Sequence, residues 1–111
     1  MQIDVLAEKL GWKLLTESSG ADREALGCYC GELLSWVMGR AKADDVWLTV
    51  MGNINAIAVA TLADVSAIVL VEDAALDAEA LARANQQEVA VYTTSLPAYE
   101  TALQIAAALE A

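Results

Sequence analysis

Apolar residues recur along the chain at two spacings, and the change from one to the other marks the elements. Ile3, Leu6, Ala7 and Leu10 fall at i, i+3, i+4 and i+7, one face of a helix, and Gly11 follows where a helix end favours glycine. Residues 12–16 read as a short strand. The polar stretch 17–24, with Ser18-Ser19-Gly20 inside it, reads as a loop. A strand over 26–30 leads into Gly31. Leu33, Leu34, Val37, Met38 and Ala41 then return at helical spacing, and Asp44-Asp45 closes that unit. Residues 46–50 form a buried-strand pattern, and Gly52-Asn53 makes a turn with Asn53 as helix N-cap. Ile54, Ile57, Ala58, Thr61 and Leu62 give the next helical stripe. That segment is apolar nearly all round, which predicts a helix buried on two sides. Residues 67–71 are a short β-branched run. Asp77 caps a helix that carries Ala78, Leu81 and Ala84 inward, and 89–93 is a further strand. Ser95 and Pro97 open a last helix with Ala102, Ile105, Ala106 and Leu109 on its inner face.

From residue 46 onward the order is β-α-β-α-β-α with short connections. Crossover helices between successive strands imply parallel pairing and right-handed connections. The expected fold is therefore one α/β domain over 1–111, a mainly parallel sheet flanked by helices. Ligands of such folds sit beyond the carboxyl ends of the strands. Here those loops are 51–53, 72–76 and 94–96.

Composition narrows the partners. Six basic and sixteen acidic residues give a net charge of −10, which repels phosphate backbones and anionic membranes. Lys9, Lys13, Arg23, Arg40, Lys42 and Arg83 are scattered through the sequence, so no nucleic acid and no membrane is expected as a partner. The longest apolar-rich stretch, 54–70, is broken by Asn55, Thr61, Asp64 and Ser66 and falls short of the ~20 residues of a membrane span. The N-terminus has no basic and then apolar leader pattern. Two cysteines and no leader make a cytoplasmic protein with reduced thiols the expectation.

The chemistry of the chain is marked by what it lacks. There is no histidine, the commonest general base and metal ligand. No P-loop, dinucleotide-binding glycine pattern or nucleophile elbow occurs, so the chain is expected not to be an enzyme and to use no cofactor. Cys28-x-Cys30 is the one cysteine constellation. Residues two apart on a strand share a face, and two thiolates alone do not close a four-ligand site. A symmetric dimer would supply four, for zinc or an iron–sulfur cluster; the plainer reading is two small residues on one strand face. The Asp44-Asp45 and Glu72-Asp73 pairs read as solvated turns before they read as divalent-ion sites.

Three further features are candidates. Asp22 and Arg23 lie between two strands, where Arg23 would bind an anionic ligand with Asp22 orienting it, or the pair would fix the loop. Gly52 and Asn53 would cradle a phosphate or carboxylate at a helix N-terminus, or simply cap it. Trp36 falls beside the Leu33/Val37 stripe, which makes it an interface anchor or a cover for the sheet edge.

The run Asp22-Arg23-Glu24-Ala25-Leu26-Gly27-Cys28-Tyr29-Cys30-Gly31-Glu32-Leu33-Leu34-Ser35-Trp36-Val37-Met38-Gly39, followed by Asn53-Ile54-Asn55-Ala56-Ile57-Ala58-Val59-Ala60, resembles the DRTGG domain family over nearly the whole chain. Glu24-Ala25-Leu26 stands where the name-giving motif has Thr-Gly-Gly. Such domains are similar to the N-terminal domain of HPr kinase. They also occur beside nucleotide-sensing modules in some pyrophosphatases and inside large phosphate acetyltransferases. The resemblance implies a regulatory or dimerising α/β module. The expected function is a non-catalytic homodimer that binds a small anionic metabolite, a nucleotide or a partner protein; the alternatives are a pure protein-docking scaffold and a small enzyme using carboxylates or Cys28. Stand-alone members carry hydrogenase-associated or HPr-kinase labels by similarity. Kinase activity belongs to a separate P-loop domain, and this chain has no P-loop.

Overall fold

Alternation along the central strands decides the architecture. Trp47, Ile68 and Val91 belong to one buried cluster, while Val46, Leu48, Val69 and Tyr92 belong to a second. Successive side chains of a strand point to opposite faces, so the sheet is covered on both sides. The structure is a computed structural model and describes residues 1–110. Among these, five strands form one sheet: β1 (Lys13–Leu14), β2 (Gly27–Cys30), β3 (Asp45–Thr49), β4 (Ala67–Leu70) and β5 (Val91–Thr93), in the order β1-β5-β4-β3-β2. Strands β2 to β5 are parallel, and β1 runs antiparallel to β5. The expected mainly parallel α/β sheet flanked by helices is the fold of this chain.

The helices are α1 (Ile3–Leu10), α2 (Leu34–Arg40), α3 (Ile54–Ala63), α4 (Ala78–Gln87) and α5 (Ala98–Glu110). Each crossover from β2 to β5 steps to the adjacent strand in the same direction. With one handedness for all three, their helices land on one face. Val37 of α2, Ile57 of α3 and Ala80 of α4 accordingly share a cluster with Trp47 and Ile68. Ile3 and Leu6 of α1 and Ile105 of α5 cover the other face. The strand order never reverses between β2 and β5, so that stretch has no switch-point crevice of the kind that binds ligands in open α/β sheets.

Local signals hold where side-chain chemistry acts within a few residues. Asn53 Oδ1 accepts from the Ala56 amide at 3.0 Å, and Asp77 Oδ1 accepts from the Ala80 amide at 2.8 Å, so both are N-caps. Gly11 ends α1 in the left-handed region at φ 75°.

The helix faces need correction. α2 buries only Val37 fully, with Leu34 and Ala41 partly covered, whereas Leu33 and Met38 are exposed. A two-turn helix at the end of the sheet has neighbours on one side and covers only a narrow stripe. α3 packs between α2 and α4 and buries Ala56, Ile57, Val59 and Ala60, so Ala58, Thr61 and Leu62 face solvent. α4 buries Ala80 and Ala84 and leaves Ala78 exposed. α5 buries Thr101, Ile105 and Ala108 and exposes Ala106. In alanine-rich helices the apolar positions outnumber one face, and contact with the sheet makes the choice. The strand expected over 12–16 pairs only at Lys13 and Leu14. Trp12 turns into the core beside Tyr92. The Thr16 hydroxyl, not its backbone, accepts from the Val91 amide at 3.0 Å.

Candidate functional site

The parallel strands give the sheet two different ends, and the sequence candidates divide between them. Arg23 sits at the amino end. Its guanidinium reaches Asp44 Oδ1 at 2.8 Å, Asp64 Oδ1 at 3.1 Å and the Asp64 carbonyl at 2.8 Å. Asp44 immediately precedes β3, and Asp64 caps the end of α3 ahead of β4. Asp22, Asp44 and Asp64 all have left-handed backbones, φ 73°, 68° and 59°. A side-chain carboxylate that can bond locally tolerates that conformation better than most residues do. One arginine therefore ties together two turns, and its charge already faces two carboxylates.

Gly52 and Asn53 follow β3 and lie at the carboxyl end. A strand of five residues spans about 17 Å, so the two candidate pairs do not converge on one site. The Gly52 Cα packs against the Ala75–Leu76 backbone, and a Cβ there would collide with the Ala75 carbonyl. The Gly52 carbonyl accepts from the Asp77 amide at 2.9 Å. The neighbouring loops are closed in the same way. The amides of Glu72 and Asp73 donate to the carbonyls of Leu96 and Thr94, each at 3.0 Å. Glu32 accepts from the Thr49 hydroxyl at 2.7 Å and the Val50 amide at 3.1 Å. These loop donors are spent within the fold, and Glu32, Glu72 and Asp73 place negative charge at this end, which disfavours an anion there.

A third region carries several of the exposed apolar side chains. Strand β2 is one of the two outer strands, and a shallow cleft of about 490 Å³ runs beside it, lined by Leu26, Cys28, Tyr29, Arg40 and Lys42 among others. Leu26 is 66% exposed, Leu33 56%, Trp36 52% and Met38 48%. Arg40 stacks on the Trp36 ring, its guanidinium carbon 3.6 Å from the centroid. Trp36 thus stands out from α2 with one ring face occupied by its own arginine. Of these residues the sequence pattern singles out Trp36 and Cys28. Helical spacing places Leu33 and Met38 inward, and the narrowness of the α2 contact turns them out.

Cys28 and Cys30 share one face of β2. Cys28 is partly buried against the α1/α5 core, and Cys30 is exposed. Hydrogen bonding between the thiols splits their proton affinities: the Cys30 thiol is held down to about 7, and the Cys28 thiol is pushed far up, with burial adding to the rise. Within one copy, no three metal-ligating side chains cluster among the described residues. No helix among them is long and apolar enough to cross a membrane.

The fold defines a small α/β sandwich whose sheet ends in β1 on one side and β2 on the other. No protein-family model, curated protein or solved structure matches the chain.

Proposed function

We propose that the chain is a non-catalytic self-association module, a homodimer built through the β2/α2 edge. The observation that carries this reading is the exposure of Leu26, ahead of the outer strand β2, and of Leu33 and Trp36, three residues apart at the start of α2. Clustered exposed apolar residues on a small domain mark association surfaces, and tryptophan and arginine are enriched at their energetic centres. Two of the six basic residues, Arg40 and Lys42, border the same edge. They offset part of the self-repulsion of a chain of charge −10, with Asp45 in the same cleft. The resemblance to DRTGG domains points the same way.

Sedimentation of the reduced chain over a range of concentrations tests the reading. A dimer that becomes monomeric on Trp36→Ala, with the fold intact by circular dichroism, supports it. A monomer at every concentration overturns it.

A second reading, a sensor of a small metabolite, is favoured by the amino-end cleft of about 390 Å³, where Arg23, Thr61 and Ser66 stand beside Asp64 and Glu88. That volume suits a small molecule. Thermal unfolding against nucleotides and phosphorylated metabolites separates the two readings, since a ligand of the native state must raise stability by mass action. A shift lost in Arg23→Ala favours the sensor.

A further inference from the structure

Along the run from β2 to β5 the connecting helices stay on one face, and the chain changes face at the end of that run. Strand β4 leads to α4, whose Ala80 and Ala84 pack in the cluster of Ile68 and Val91. Strand β5 leads to α5, whose Ile105 and Ala108 pack in the other cluster. Loops that leave adjacent strands for opposite faces diverge, and ligands of open α/β sheets bind in the opening beyond the carboxyl ends. A cleft of about 310 Å³ lies there, between the end of β5, the segment after β1 and α4. That volume falls at the lower end of the range for small-molecule sites. Its apolar walls are Leu15, Leu76 and Leu81, and all three stay partly exposed. Its polar side chains are Asp73, at the exit of β4, and Thr93, the last residue of β5. Glu72 and Asp73 hold left-handed backbones in succession, φ 57° and 55°. Their amides, which donate to the Leu96 and Thr94 carbonyls, pin that uncommon conformation. Among the described residues neither carboxylate takes part in an ion pair, although Lys13 stands opposite Thr93 in the β1–β5 register.

We propose that this cleft binds a small organic cation, a primary ammonium carrying an apolar chain or ring, with Asp73 and Thr93 taking the ammonium and Leu15, Leu76 and Leu81 the apolar part. The inference goes beyond the self-association reading and does not depend on it. The loop amides are spent within the fold, so the cleft offers acceptors rather than donors. The Thr93 hydroxyl donates to the Leu70 carbonyl at 3.4 Å, which leaves its oxygen free to accept. An ammonium brings three donors and no acceptor, which matches a carboxylate beside a hydroxyl oxygen. A carboxylate or phosphate would meet Glu72 and Asp73 with no donor in exchange. An apolar molecule without the charge would gain the leucine walls alone. The net charge of −10 also draws cations toward the chain and keeps anions off.

The test titrates hexylammonium into the full chain at low ionic strength, with hexanol and hexanoate as the neutral and anionic counterparts, and follows backbone amide NMR shifts. The expected result is a saturable set of shifts centred on Leu15, Asp73, Leu81 and Thr93. Affinity should fall from hexylammonium to hexanol to hexanoate, and from hexylammonium to ethylammonium as the apolar part is lost. Asp73→Asn keeps a residue type that tolerates the left-handed backbone. It should weaken hexylammonium by about threefold to fivefold, the size of a partly solvated ion pair, and leave hexanol unchanged. Arg23→Ala, at the other end of the sheet, should leave hexylammonium binding as it is. No saturable shifts at these four residues overturns the site. Hexanol binding as tightly as hexylammonium, or an unchanged affinity in Asp73→Asn, overturns the cation. Sedimentation of the same samples reads self-association separately, so neither failure touches that reading.

Discussion

Arg23 and Asp64 form an ion pair at 3.1 Å across 41 residues of sequence. The same guanidinium holds Asp44, so one side chain in the long loop between β1 and β2 spans two turns at the amino end. Arg23→Ala should lower unfolding free energy by about 1 kcal/mol, a modest value because the pairs are partly solvated. Arg23→Lys should recover only part of this, since an ammonium does not reproduce the planar fork of a guanidinium. Urea denaturation of the two variants checks both outcomes.

Gly52 makes the opposite kind of contact, a close approach with no room for a side chain. Gly52→Ala should destabilise the chain by about 1–3 kcal/mol or more, because the added methyl meets backbone at Ala75 and not a side chain that can move aside. The same change at Gly39, which has open space around it, should cost far less and gain helix propensity. Denaturant midpoints of the pair give the comparison.

The two buried tryptophans differ in one hydrogen bond. Trp47 donates from Nε1 to the Gly31 carbonyl at 3.0 Å, while the buried Nε1 of Trp12 finds no partner among the described residues. Trp47→Phe should therefore cost about 1 kcal/mol more than Trp12→Phe, the net worth of a made hydrogen bond against an orphaned donor removed. Parallel thermal melts decide it.

Tyr92 sets an alkaline limit. Burial, with the Asp4 charge adding to it, pushes its phenol from 10.0 up to about 12, and its hydroxyl donates to the Ser19 carbonyl. A raised acid favours the neutral form in the folded state. Its contribution is fully present below pH 10 and is lost as pH rises toward 12. Ultraviolet titration should show one tyrosine ionising late. Tyr92→Phe should flatten the fall in stability over that window.

Trp36→Ala should leave monomer stability within about 0.5 kcal/mol, as for other surface changes, while weakening association. Chemical denaturation at low protein concentration, set beside sedimentation at high concentration, separates fold from surface.

The sequence by itself determined the α/β class, the strands and the caps. Runs such as Ile68-Val69-Leu70, and oxygens such as those of Asn53 and Asp77, act on residues a few positions away. Such signals do not depend on the rest of the chain. Only the tertiary structure decided which apolar helix positions are buried, and it overruled the sequence pattern at Leu33, Met38, Ala58, Leu62, Ala78 and Ala106. Periodicity does not choose a face when alanine surrounds the helix; the sheet beneath does. Strand order also placed Arg23 at one end of the sheet and Gly52 at the other, and left β2 outermost with both cysteines on one face. These are relationships between segments far apart in sequence. They exist only once four parallel strands are laid side by side.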